Sequence, residues 1–305
     1  MAGKRTVLIT GASGYVASQM LDEFRERYDL RLIDVKTTGR DGYEVGGVEI
    51  ADLIDTDRSK YARHFEGADA VVHLGFKRSG AGFSGDGLPA IDRFESEHQN
   101  VQMANNVYRT AYDAGVRRVV MASSNHAADW YEHALIHSKQ KEMVSPTEVP
   151  VSDNFYGWSK AAYELLGFPY ACGIFGRKLG VVQIRIGAPR DVSGSQYEGD
   201  LSEQHTGGSG LTNFKRDLGA HLSSRDLTQL VRRAIETENI DRTDGVPWQV
   251  AYGISGNTRA FWSLESARAV LGYEPEDDSE VKYAADIARL LIGKDAGIGG
   301  GKVGG

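Results

Sequence analysis

Apolar positions in the first half of the chain fall into short β-rich runs separated by stretches at helical spacing. Thr6 to Thr10, Leu30 to Val35, Val48 to Ile50, Ala70 to Leu74 and Arg118 to Ala122 read as strands. Tyr15 to Tyr28 and Phe94 to Ala114 repeat apolar residues every three or four positions and read as amphipathic helices. Asp153 to Phe168 continues as helix and Gly180 to Ile186 as another buried strand. Such alternation buries a parallel sheet between two helical layers, so the expected class is α/β, a Rossmann-type doubly wound parallel sheet.

After Gly187 the pattern loosens. Ala188 to Leu211 is rich in Gly, Ser and polar residues without periodicity and reads as a long loop or lid. Helices return at Ser224 to Glu238 and Leu264 to Leu271, around the strand-like Trp248 to Tyr252. The expected organisation is a nucleotide-binding domain over 1–187, a small C-terminal substrate-side subdomain with lid over 188–292, and a flexible Gly-rich tail over 293–305.

Composition narrows the partners. The 305 residues are 41% hydrophobic and 25% charged, with a formal net charge of −7 and no basic stripe. Nucleic acid and an anionic membrane surface are therefore poor partners, and a small molecule is the better one. Cys172 is the sole cysteine, the start runs into a strand without an apolar leader, and no apolar run reaches membrane-spanning length. A cytoplasmic, soluble protein is expected, with no metal.

Gly11-Ala12-Ser13-Gly14-Tyr15-Val16-Ala17 follows a strand and opens a helix, the context in which such a loop binds a dinucleotide. Gly11 permits the tight turn, Gly14 lets a pyrophosphate approach the backbone, and the helix N-terminus offers free N–H groups. Asp34 ends the second strand, twenty residues past Gly14, where a carboxylate accepts from the adenosine ribose hydroxyls and repels a 2′-phosphate. NAD is thus favoured over NADP, although Lys36 and Arg40 soften the preference; a turn-forming aspartate is the rival reading of Asp34. Asp52-Leu53 and His73-Leu74-Gly75 lie at carboxyl ends of strands, where open α/β sheets bind ligands. His73 itself is better read as a structural histidine than as a catalyst.

Tyr156 and Lys160 lie one helical turn apart, so the ammonium is expected beside the phenol, lowering its pKa toward that of a general base. Ser124, at the carboxyl end of a strand, can hold the same substrate oxygen; a loop-capping serine is its bland alternative. A Tyr-x-x-x-Lys match alone is weak, and its place after the glycine loop gives it weight.

With the glycine loop, Asp34, Asp52-Leu53, His73-Leu74-Gly75, Asn100, Ala122-Ser123-Ser124 and Tyr156-x-x-x-Lys160 in order, the chain resembles the extended short-chain dehydrogenase/reductase superfamily over about residues 5 to 275. Within it, Ser123-Ser124-Asn125-His126, Arg185-Ile186-Gly187, Arg216-x-Leu218 and Leu271-Gly272-Tyr273-x-Pro275 look like the NAD-dependent uronate dehydrogenases. The resemblance implies that Tyr156 takes the proton from a sugar hydroxyl while the carbon beneath gives hydride to NAD, with Ser124 and Lys160 as partners. It implies cofactor contacts from Ser13, Tyr15, Val16, Leu74, Gly75, Asn100, Ser123, Tyr156, Lys160 and Ile186. Asn125 and His126 would face the sugar, Arg216 would clamp a carboxylate, and Arg78 or Lys77 would share that role. Galacturonate or glucuronate, oxidised at C1 to an aldonolactone, is the implied substrate. Two departures are Ala188, where those enzymes have a serine, and Phe76-Lys77-Arg78-Ser79 with a long glycine-rich stretch to Pro89. Relatives assemble through helices equivalent to Phe94 to Ala114 and Asp153 to Phe168, so a homo-oligomer is expected. Competing readings are another alcohol or ketone oxidoreductase, a sugar-nucleotide epimerase or dehydratase, and a non-catalytic NAD-binding regulator.

Overall fold

The computed structural model describes residues 3–78, 90–197 and 210–292. Its strands are β1 (Thr6–Thr10), β2 (Asp29–Asp34), β3 (Val48–Ile50), β4 (Ala70–His73), β5 (Arg118–Ser124), β6 (Gly180–Ile186) and β7 (Trp248–Gly253). They form one parallel sheet in the order β3-β2-β1-β4-β5-β6-β7. Order reverses between β1 and β4, which opens a crevice at the carboxyl ends of the strands, where such sheets bind nucleotides.

Alternation along each strand explains the two cores. In β1, Val7 and Ile9 join a cluster with Phe24, Leu227 and Val231, while Leu8 joins another with Val107, Tyr108 and Tyr163 on the opposite face. The helices α1 (Tyr15–Ser18) and α2 (Leu21–Arg27) cover the first face, and α3 (Phe94–Asp113) and α4 (Phe155–Cys172) the second. The single helix expected over Tyr15 to Tyr28 is broken at Gln19 and Met20. There the Gln19 side chain bonds Pro189 O and Ser224 Oγ, and its carbonyl accepts from Thr228 Oγ1, so contacts from distant residues interrupt the ladder. The helix expected to stop at Phe168 runs through Pro169 to Cys172 because Tyr170 and Ala171 are held in the core, and it ends at Gly173 with φ 80°.

The last third is not set apart at residue 187. β7 pairs with β6, and α6 (Ser224–Glu236) packs on the sheet beside α2, so both complete the nucleotide-binding body. What stands over the cleft is a satellite cluster of Val192, Tyr197, Leu211, Phe214, Leu218, Tyr283 and Ile287. It is built on α5 (Leu211–Ala220), a helix beyond those expected from the apolar pattern, and on short helices after α7 (Glu265–Leu271), namely α8 (Ser279–Lys282) and α9 (Ala284–Ile287). Of the expected lid, 188–197 carries a short 3-10 turn at Gly194–Gln196, and 198–209 lies outside the described residues. The glycine-rich stretch 79–89 and the tail 293–305 also lie outside them. No described helix is long and apolar enough to cross a membrane.

Candidate active site

One cleft of about 2660 Å³ runs along the carboxyl ends of the strands. It is lined by Gly11, Ser13, Gly14, Tyr15, Val16, Asp34, Asp52, Leu53, Leu74, Gly75, Arg78, Ser123, Ser124, His126, Tyr156, Lys160, Ile186 and Arg216. Asn100 and Asn125, expected in the same set, are buried behind it.

At the nucleotide end, Gly11 has φ 71°, and a Cβ there would lie 2.5 Å from Gly75 N, so only glycine fits between the two loops. Gly14 caps α1 with no side-chain hydrogen bond, which leaves the first-turn N–H groups of that helix to a ligand. Asp34 fixes this loop: its Oδ2 accepts from Ser13 N at 2.9 Å and its Oδ1 from Val35 N at 2.6 Å. Each oxygen keeps lone pairs for a diol. Lys36 and Arg40 border the same wall, Arg40 over the Tyr15 ring. A cradle that excludes Cβ atoms, an uncapped helix start and a carboxylate at the end of β2 together fit NAD. Asn100 bonds both Lys77 N and Lys77 O, at 2.8 and 2.9 Å, so it shapes the loop after β4 from behind the cleft. Ser123 likewise turns its hydroxyl away, donating to Glu164 at 2.6 Å. His73 is structural as expected: its Nδ1 meets Thr10 Oγ1 at 2.6 Å, and burial, with the charge of Lys160, pushes its pKa down to about 3.

In the middle of the cleft, Asn154 caps α4 by accepting from Gly157 N, which sets the first turn and aims Tyr156 into the cleft. Ser124 lines the cleft with Tyr156, and its Oγ also caps the following 3-10 turn by accepting from His126 N at 3.3 Å. The sequence led to a phenol made acidic by Lys160, and here the structure differs. Burial pushes Tyr156 up to about 12, with Ser124 and Arg78 pulling the other way. Lys160 donates to Ala122 O at 2.9 Å between the Phe76 and Tyr163 rings, its Nζ 5.8 Å from the Tyr156 ring centre. Burial brings the ammonium down to about 8, against the pull of Glu97 and Glu164. In the protein alone, desolvation outweighs the neighbouring charge.

At the far end, His126 packs edge-on to Tyr156 with ring centres 5.5 Å apart, and its Nδ1 meets the buried Asp129 carboxylate at 2.9 Å. Asn154 also donates to Asp129, at 2.8 Å. Asn125 faces away from the cleft, its amide donating to Ile186 O at 3.0 Å and its oxygen accepting from Arg216. Arg216 does line the cleft, but its fork grips Glu132 at 2.9 and 3.2 Å, and Trp262 underlies it. Sequence reasoning missed Glu132, Asp129 and Glu97. Glu132 sits on the π-helical turn Tyr131–Ile136, and Asp129 caps the C-terminal end of the 3-10 turn Asn125–Ala128; this irregular geometry leaves no hydrophobic period to read.

Comparison with known proteins agrees with this geometry. The chain is 31% identical over 285 residues to the NAD-dependent glucose-6-phosphate dehydrogenase of Haloferax volcanii, covering 90% of this chain and 94% of that protein. It is 29% identical over 292 residues to the uronate dehydrogenase of Pseudomonas syringae pv. tomato, covering 95% and 88%. The crystal structure of uronate dehydrogenase from Agrobacterium tumefaciens superposes with a TM-score of 0.67 at 22% identity, over 94% of this chain and 90% of that one, which supports the fold. Residues 7–174, which carry the glycine loop, Ser124, Tyr156 and Lys160, match the NAD dependent epimerase/dehydratase family, and the chain belongs to it.

Proposed function

We propose that the chain is an NAD-dependent dehydrogenase that oxidises a sugar at its anomeric carbon to an aldonolactone. One observation carries the reading: Ser124 and Tyr156, with Lys160 one turn on, line the same cleft as the glycine cradle. When bound, NAD supplies an oxidised pyridine ring that accepts hydride. Tyr156 Oη, as phenolate, takes the proton of the C1 hydroxyl, and Ser124 Oγ orients that oxygen. Lys160, whose ammonium offers three donors and spends one on Ala122, is placed to steady the phenolate and to bond a ribose hydroxyl. The C1–H and O–H bonds break, the C1=O bond forms, and the ring hemiacetal becomes a lactone. Galacturonate or glucuronate is the substrate that the uronate dehydrogenase relatives suggest, and which sugar is taken turns on the charge partner of Arg216.

The direct test is NADH formation, read by its near-ultraviolet absorbance, on a panel of galacturonate, glucuronate, galactose, glucose, arabinose and glucose 6-phosphate. NADH from a panel sugar with lactone as product supports the reading. Conversion of a nucleotide sugar without net NADH would assign the chain to epimerase chemistry, and NAD binding without turnover to regulation. Asp34 gives a second check. Asp34→Ala should narrow the preference for NAD over NADP by about tenfold, because it removes the charge that repels a 2′-phosphate. An unchanged ratio of kcat/KM for the two cofactors leaves Asp34 as a loop clamp only.

A further inference from the structure

Arg216 and Asn125 connect the far end of the cleft to the catalytic serine. Asn125 follows Ser124 in the chain and accepts from Arg216, so the guanidinium lies where the part of a sugar remote from its reacting carbon would reach. That guanidinium is held from inside the protein. Its Nε and Nη2 meet the two oxygens of Glu132 at 2.9 and 3.2 Å, and its Nη1 meets Asp217 at 3.2 Å. The Glu132 side chain is 1% exposed and that of Arg216 10%. Burial alone would lower the arginine pKa, yet the Glu132 carboxylate holds it above the ordinary guanidinium range. The other arginine at this end, Arg190, meets Asp217 at 2.6 Å.

We infer that Glu132 is a specificity-determining residue: its carboxylate fills the seat at which a sugar carboxylate would meet Arg216, so the site takes an uncharged aldose and turns away a uronate. The inference rests on the reading of the cleft as a sugar dehydrogenase. The planar fork that matches a carboxylate side-on can bind only one carboxylate in that manner. A uronate would have to displace Glu132, a buried carboxylate that also faces His137 at 3.5 Å, from its bidentate pairing. It would also enter beside Asp129, Asp153 and Asp217, which line the same end. Those carboxylates are paired with His126, His133 and Arg190, and their remaining lone pairs, with Asn213 and Thr212 beside them, suit the hydroxyls of a neutral sugar. Lys77 and Arg78 do not replace the seat. Lys77 Nζ donates to Gln99 at 2.7 Å, and the charge of Arg78 bears on the Tyr156 phenol, at the reacting end.

The test uses matched pairs, galactose against galacturonate and glucose against glucuronate, with NAD and the full chain. The wild type should show kcat/KM at least ~10-fold higher for the uncharged member of a pair, and Glu132→Gln and Glu132→Ala should each move that ratio at least ~10-fold toward the uronate. With NADH present, galacturonate should raise the Tm of both variants and not of the wild type. NADH fluorescence on binding shows whether each variant keeps its fold; if neither does, the wild-type ratio decides. A wild type that prefers uronates overturns the inference and leaves the dehydrogenase reading standing, as does a folded variant with an unchanged ratio. NADH from no sugar overturns both.

Discussion

Tyr156→Phe should lower turnover by at least ~10²-fold while NAD affinity stays nearly unchanged. The phenol lines the cleft with Ser124, and removing its oxygen deletes the proposed proton acceptor without disturbing Gly11, Gly14 or Asp34. Steady-state turnover beside NAD binding by fluorescence checks this, and a Phe variant of near wild-type rate removes Tyr156 from the chemistry. The pH profile carries the same argument. Burial holds the phenol up to about 12, so the phenolate fraction grows about tenfold per pH unit through neutrality. Lys160, held down to about 8, loses its proton above that value and with it the charge that favours phenolate. Log kcat/KM should therefore climb with pH below about 8 and flatten above it, and a flat profile from acid to neutral would exclude the phenol as the titrating base.

Glu164→Gln should cost roughly 3–5 kcal/mol of stability, because it leaves a buried guanidinium without its counter-charge. Glu164 and Arg185 each expose 1% of their side chains and meet through two hydrogen bonds of 2.8 and 2.9 Å between α4 and β6. Arg185 also reaches Tyr252 on β7 at 3.0 Å, and Ser123 on β5 donates to Glu164. Although burial works to lower it, the arginine pKa stands above its ordinary value through Glu164 and the Tyr252 hydroxyl. Urea unfolding of Glu164→Gln against the double variant Glu164→Leu/Arg185→Met separates a lone buried charge from lost packing. The double variant should recover most of the loss, since apolar groups of similar volume need no partner. A single variant as stable as wild type would mean that water reaches the pair. Because this pair joins α4 to β5, β6 and β7, it also anchors the helix that carries Tyr156 and Lys160.

The nucleotide half of the cleft was legible because it is local. Gly11, Gly14 and the helix after β1 are adjacent in sequence, and Asp34 sits at the end of the next strand, so spacing alone places them. Tyr156 and Lys160 share one helix and were legible for the same reason. The sugar half was not. Arg216 was visible as an arginine, but its partner Glu132 lies 84 residues away on a turn with no period. Asn100 and Asn125 were named by resemblance, and only the tertiary structure shows both buried, one bonded to Lys77 and the other to Ile186 and Arg216.

The alternation of apolar runs and the glycine loop by themselves determined a doubly wound parallel sheet with a nucleotide cradle, because strand burial and loop geometry depend on neighbours in the chain. Tertiary structure alone decided the proton affinity of Tyr156 and the charge at Arg216. Both follow from which distant groups pack against a buried side chain, and burial sets how strongly each of those charges is felt.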